Sequence, residues 1–398
     1  MSENPFLKPL KAFDTANLLL DESFTDLIKN KTGSLMEDAE DDLPFETKPD
    51  TPEESFSLRT GGAIHSGCIR LPNKINREIY AAANIKGEIF FFEQGKTALH
   101  AVSKVTLQGA IYTSPVFSEG ILYCAVKDGT VYAVDTGLCS SNAESEGIRN
   151  KLLWQKKMKK GILAEPVLAG KFLIITSLDG IYAFDISNPY DKNSGIPVWG
   201  VSINGTVSTP AVDSGMLFIG SEDRRLFGFD YGGSRLQKLW DYELSGACRM
   251  KPCVSQSGYY VAVSTTDGFI YAIDKKTGTY MWKFAVKSPV IGNITSGIIN
   301  GNEQIFFGSD AGIFYCLDSS GRHVWDFKAE GMIRTEPVIN NGLIWFGSAD
   351  SNLYALDIVT GRETFKFKIE GGIYGKPVIS GDRIFFGSTD GYIHSINI

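Results

Sequence analysis

Ile384-Phe385-Phe386-Gly387-Ser388-Thr389-Asp390-Gly391-Tyr392-Ile393-His394 decides the fold. It reads as an apolar strand ending in Gly-Ser, a tight turn carrying Asp-Gly, and a second strand led by an aromatic residue. Copies of its first strand stand at Ile344-Trp345-Phe346-Gly347-Ser348, Ile305-Phe306-Phe307-Gly308-Ser309 and Leu217-Phe218-Ile219-Gly220-Ser221. The aromatic of the second strand recurs at Phe90, Tyr132, Tyr182, Phe227, Tyr271, Tyr315 and Tyr354, with His394 in its place in the last copy. These are eight copies about 43 residues apart, the period of a small antiparallel unit repeated around an axis.

Two further marks flank the phrase. A Pro-Val-like strand opens most copies, at Pro115, Pro166, Pro210, Pro252, Pro337 and Pro377, with Cys68 and Gly297 aligned to that position in the first and sixth. A fourth strand follows, and five of the six tryptophans share one register in it: Trp154, Trp199, Trp240, Trp282 and Trp325, with Phe365 in the seventh copy. Four short strands at this period predict an all-β, eight-bladed β-propeller of four-stranded antiparallel blades over residues 56–398. The tryptophans are expected to dock between blades. The last copy ends after its third strand, and Phe56-Ser57-Leu58-Arg59-Thr60 aligns with the missing fourth, Phe56 at the tryptophan position. An N-terminal strand is therefore expected to close the ring and remove a bare sheet edge.

Composition agrees with this architecture and narrows the function. Hydrophobic residues make up 43% and charged residues 21% of 398, a globular balance. No apolar run approaches the roughly 20 residues of a membrane span. Six scattered cysteines and four histidines offer no metal-ligand spacing, so no metal or cofactor is expected, and reduced thiols suggest a cytoplasmic protein. No signal peptide is read at the N-terminus. Residues 1–55 carry 14 acids against five bases, while the rest of the chain carries 34 bases against 32 acids. This distribution gives no broad basic surface for nucleic acid. The basic run Lys156-Lys157-Met158-Lys159-Lys160 reads as a solvated strand edge. The segment 1–55 reads as an acidic, partly disordered tail with a possible amphipathic helix near 14–29, striped by Ala16, Leu20, Phe24, Leu27 and Ile28.

Ala272-Ile273-Asp274-Lys275-Lys276-Thr277-Gly278-Thr279-Tyr280-Met281-Trp282 has the form A-x-D-x-x-T-G-x-x-x-W. It resembles the tryptophan-docking repeat of the quinoprotein family, whose enzymes hold pyrroloquinoline quinone in an eight-bladed propeller. The family also has a non-enzymatic branch, similar to the outer-membrane assembly lipoprotein BamB. The resemblance implies the fold and two classes of function. The vicinal cysteine pair of the family's dehydrogenases is absent here.

No nucleophile elbow, phosphate loop or zinc-protease motif occurs. The candidate site lies where each blade begins. Residues just before the proline position include Glu165, Lys251, Ser296, Glu336 and Lys376, and two residues further back stand His65, Tyr112, Arg249, Arg334 and Tyr374. Strand alternation puts both sets on one side, so Glu165, Arg249, Lys251, Arg334, Glu336 and Lys376 are expected at a polar channel mouth. They are either charges paired around a water-filled channel or a ligand site in which Arg and Lys hold an anion. The leading expectation is a non-catalytic, monomeric scaffold for protein partners. A quinone-dependent dehydrogenase and a small-ligand sensor are the alternatives.

Overall fold

The computed structural model describes residues 55–398, apart from 75–76, 141–147, 204, 206–207 and 233–234. The expected helix near 14–29 and the acidic segment before Ser55 lie outside the described residues. Among these there is no helix. Thirty-two strands form eight separate four-stranded antiparallel sheets, the blades of a β-propeller.

Seven blades are built from consecutive strands, from β2(Ile69–Leu71)–β5(Leu99–Thr106) to β26(Val338–Asn340)–β29(Glu363–Lys368). The eighth joins both ends of the described chain. Its order is β1(Ser55–Arg59), β32(Tyr392–Asn397), β31(Arg383–Gly387), β30(Val378–Ser380). Phe56 faces Ser395 and Leu58 faces Ile393, so the closing strand lies in the expected register.

That register follows from a size rule. Each docking aromatic sits opposite a small side chain on the third strand: Trp154 opposite Ala133, Trp199 opposite Ala183, Trp240 opposite Gly228, Trp282 opposite Ala272, Trp325 opposite Cys316 and Phe365 opposite Ala355. A β-bulge follows every one of these pairs and bends the outer strand. The indoles then reach into the next blade. Trp240, Trp282 and Trp325 donate their Nε1–H to the carbonyls of Lys275, Ser319 and Ile358 at 3.0, 2.9 and 3.2 Å. Among the described residues Trp154 and Trp199 find no such acceptor. Trp154 packs on Gly195, within the long 187–198 connection, and Trp199 meets Phe172 edge-on. Phe365 packs on Trp345, and Phe56 lies under the Arg383 guanidinium.

The core is divided in the same way. Eight apolar clusters fill the eight junctions between neighbouring blades. The cluster at the closure gathers Leu58, Ile64, Cys68, Tyr80, Phe92, Phe385 and Ile393, with the Tyr80 and Phe385 rings 4.3 Å apart. A fully buried side chain of this size contributes roughly 1.5–3 kcal/mol, so the ring is held by its junctions and an open junction is costly.

The Gly-Ser phrase has a packing reason of its own, apart from the Asp-Gly turn. A Cβ on Gly308 would stand 2.2 Å from Ile333 Cγ2, on the segment that enters the next blade. The glycine is needed for close approach. The turn belongs to the later glycine, as at Gly312, whose φ of 74° suits a residue without Cβ.

Candidate functional site

The innermost strand of each blade starts directly after the proline position, as at β10(Val167–Ala169) after Pro166 and β30 after Pro377. The residue before the proline therefore sits at the inner lip of the propeller, where the chain enters a blade. These lip residues are linked from blade to blade. The Gly67 amide donates to Ser114 Oγ (2.8 Å), the Ser114 amide to Glu165 Oε1 (3.2 Å) and the Glu165 amide to Thr209 Oγ1 (2.9 Å). Across the ring, the Lys251 amide donates to Asn293 Oδ1 (3.2 Å) and Asn293 Nδ2 to Glu336 Oε2 (3.0 Å), while Lys376 Nζ pairs with Glu336 Oε1. Lys376 and Gly67 close the circle: a Cβ on Gly67 would come within 3.0 Å of the Lys376 carbonyl oxygen.

One position corrects the sequence alignment. Asn293, not Ser296, is the lip residue of the sixth blade. Thr295 pairs with Phe306 as Val338 pairs with Trp345, which puts Ile294 rather than Gly297 at the proline position. The first hairpin of this blade is longer, with β22(Thr295–Ile299) and β23(Asn302–Gly308), and the added length shifted the sequence match by three residues. Ser296 lies inside β22.

The two arginines stand one layer out, each bound by a carboxylate of the preceding blade. Arg249 Nε donates to Glu222 Oε1 at 2.6 Å, and Arg334 grips Asp310 through Nε and an Nη at 2.8 Å each. Both carboxylates lie two residues after the Gly of the repeated phrase, Glu222 after Gly220 and Asp310 after Gly308. These bidentate contacts tie the entry segment of one blade to the turn of its neighbour.

The structure thus brings Lys251, Asn293 and Lys376 around the Glu336 carboxylate and leaves Glu165 in the opposite half of the ring. Burial works to raise the Glu336 pKa. The Lys376 and Lys251 charges, with the Lys376 and Asn293 hydrogen bonds, outweigh it and hold the group below the usual glutamate value. On the Arg334 layer an aromatic row crosses three blades: His65 lies 5.8 Å from Tyr112 and 5.7 Å from Tyr374, with Lys127 Nζ 5.4 Å from the Tyr112 ring centre. Burial lowers the His65 pKa to about 4.

These residues do not suit a quinone and its calcium ion. Among the described residues no three His, Cys, Asp or Glu side chains gather as a metal site. The one tryptophan outside the docking register, Trp345, is buried in the junction of the seventh and eighth blades and offers no platform.

Fold and lip together define the class of quinoprotein-like eight-bladed propellers. The family model described as outer membrane protein assembly factor BamB matches residues 145–258 and 266–398, so the chain belongs to the BamB family. A curated BamB of Nitrosomonas eutropha is 24% identical over 230 residues, 53% of this chain and 50% of that one. The chain spans about half the length of that relative. The crystal structure of BamB from Moraxella catarrhalis superposes with a TM-score of 0.64 at 18% identity, covering 89% of this chain and 98% of that one. Sqt1 from Chaetomium thermophilum, bound to the N-terminus of the ribosomal protein L10, gives 0.69 at 15% identity, covering 85% and 98%. At such identities these likenesses speak for the fold.

Proposed function

We propose that the chain is a protein-interaction scaffold that does no chemistry of its own. One observation carries this reading. The charges that a catalytic or anion site would offer to a substrate brace the ring instead, with Arg249, Arg334, Glu336 and Lys376 all held by groups from adjacent blades. A rigid ring presenting loops suits partner binding. Membership of an assembly-factor family supports the reading, as does a propeller of the same fold that holds a protein N-terminus. Six unpaired cysteines support work in a reducing compartment, the cytoplasm. The test pairs capture of partners from native lysate on the full chain with a dye-reduction assay in added quinone and calcium. A stoichiometric protein partner without dye reduction is expected, and quinone-dependent reduction overturns the scaffold.

A small-ligand sensor at the lip is the second reading. Lys251 favours it, because its ammonium makes no ion pair among the described residues while its charge helps hold Glu336 ionised. Calorimetric titration with small carboxylates and phosphate decides it. Unchanged binding by a Lys251→Ala, Arg334→Ala variant removes it.

A further inference from the structure

The propeller has two unlike faces. One carries the entry segments and the turns between second and third strands, and the other carries the remaining turns and the connections to the outer strands. The large apolar side chains most open to solvent, Tyr190, Ile196, Tyr259, Ile298 and Val359 among them, belong to the second face or to the start of the outer strands. The entry face is charged, and its charge is uneven. Around the sixth to eighth blades it mixes acids and bases, with Arg334 on Asp310, Lys376 on Glu336 and Lys368 on the Asp350 carbonyl. Around the second and third it bears lysines from two segments that the backbone clamps together. The Met158 amide donates to the Gly129 carbonyl at 2.8 Å and the Ile162 amide to the Lys127 carbonyl at 3.3 Å. This places Lys127 beside Lys159 and Lys160 on a fixed framework, and the last two are exposed.

The nearby carboxylates leave these ammonium groups in excess. Asp128 is taken by Lys157 at 2.5 Å and by the Thr130 hydroxyl. Asp179 accepts from the Ser177 and Tyr182 hydroxyls and Glu165 from the Ser114 amide, and both keep their charge, so three carboxylates stand against the five lysines of the two segments. Among the described residues Lys127, Lys156, Lys159 and Lys160 make no ion pair. We propose that this corner of the entry face, centred on Lys127, Lys159 and Lys160, docks a short acidic segment of a partner protein. The inference rests on the scaffold reading and names the chemistry of its partner. A short carboxylate-rich segment feels the local field, because salt screens charges beyond about 8 Å. The rest of the entry face mixes acids with bases, so a long polyanion gains nothing beyond this corner, and this favours a short peptide over nucleic acid.

The test titrates the full chain, at physiological salt, with a fluorescein-labelled oligo-glutamate peptide and with an oligothymidylate of equal charge. The peptide should bind, weaken as salt rises, and lose about tenfold in affinity in Lys159→Glu, Lys160→Glu. Lys159→Arg, Lys160→Arg should retain binding. So should Lys192→Glu, Lys276→Glu on the opposite face, a control that also reports changed net charge. Equal loss in that control, no loss in the first variant, or tighter binding of the oligothymidylate overturns the proposal. None of these outcomes touches the scaffold reading, which the dye-reduction assay judges separately.

Discussion

The indole of Trp282 donates to the Ser319 carbonyl in the following blade, and its ring covers Gly321 two residues on. Gly321 has a φ of 78°, and a Cβ there would stand 2.5 Å from the indole. Turn conformation and docking are thus satisfied by one residue without a side chain.

Gly321→Ala should therefore cost more than loss of the indole hydrogen bond. Adopting positive φ and overpacking against the ring together cost about 3 kcal/mol. Trp282→Phe forfeits one hydrogen bond and some volume, about 1–2 kcal/mol. Urea denaturation midpoints compare the two, and an equal or reversed order would show that the turn does not carry the dock.

The ring closure gives a second comparison. Leu58 is fully buried in the junction of the first and eighth blades, whereas Phe56 is half-buried beneath Arg383. Leu58→Ala should cost about 3 kcal/mol by cavity formation. Phe56→Ala should cost about half of that. Removal of residues 1–62 should leave β32 with a bare edge and an aggregating protein, while removal of 1–54 keeps the closing strand. Thermal melts that ranked Phe56 above Leu58 would place the weight of the closure on the outer ring.

Much of this architecture was legible because size and period are written into single residues. Each docking aromatic needs a small partner, each positive-φ turn favours glycine, and both recur at the blade period. Phe56 is legible through the period, because it falls at the tryptophan position of the fourth strand that the last copy lacks. Leu58 is not legible, because a leucine in a five-residue strand carries no mark of which face is buried. The site was less legible. Arg249 and Arg334 were placed at the mouth, but their partners Glu222 and Asp310 lie 27 and 24 residues earlier, in the preceding blade. Asn293 was missed for another reason: the longer first hairpin of the sixth blade breaks the spacing on which the alignment relied.

The arginine clamps predict a local coupling. Arg334 and Asp310 side chains are 10% and 17% exposed, enough burial for a lone partner to suffer. Arg334→Met should cost about 2 kcal/mol, because Asp310 is left charged and poorly solvated. Asp310→Asn in the same chain should recover part of that loss. A double-mutant cycle with no coupling energy would mean that the two blades are held without the ion pair.

His65 makes the last prediction, on pH. Burial lowers its folded pKa from 6.5 to about 4. Between those values the unfolded chain binds a proton that the folded chain refuses, so the unfolded state gains as pH falls. This contribution is complete above pH 6.5 and is lost progressively down to about pH 4, below which both states are protonated. A shift of this size corresponds to about 3 kcal/mol. His65→Phe keeps an aromatic ring between Tyr112 and Tyr374 and removes the titrating group. Glu336 adds its own acid sensitivity through a lowered pKa, in the carboxylate range and below. Stability of the parent should therefore fall from pH 6.5 downward, while the variant should hold until the carboxylates titrate. Parallel stability profiles for the two proteins across pH 7 to 5 would show that the imidazole titrates alike in the folded and unfolded chain, and that burial does not lower its pKa.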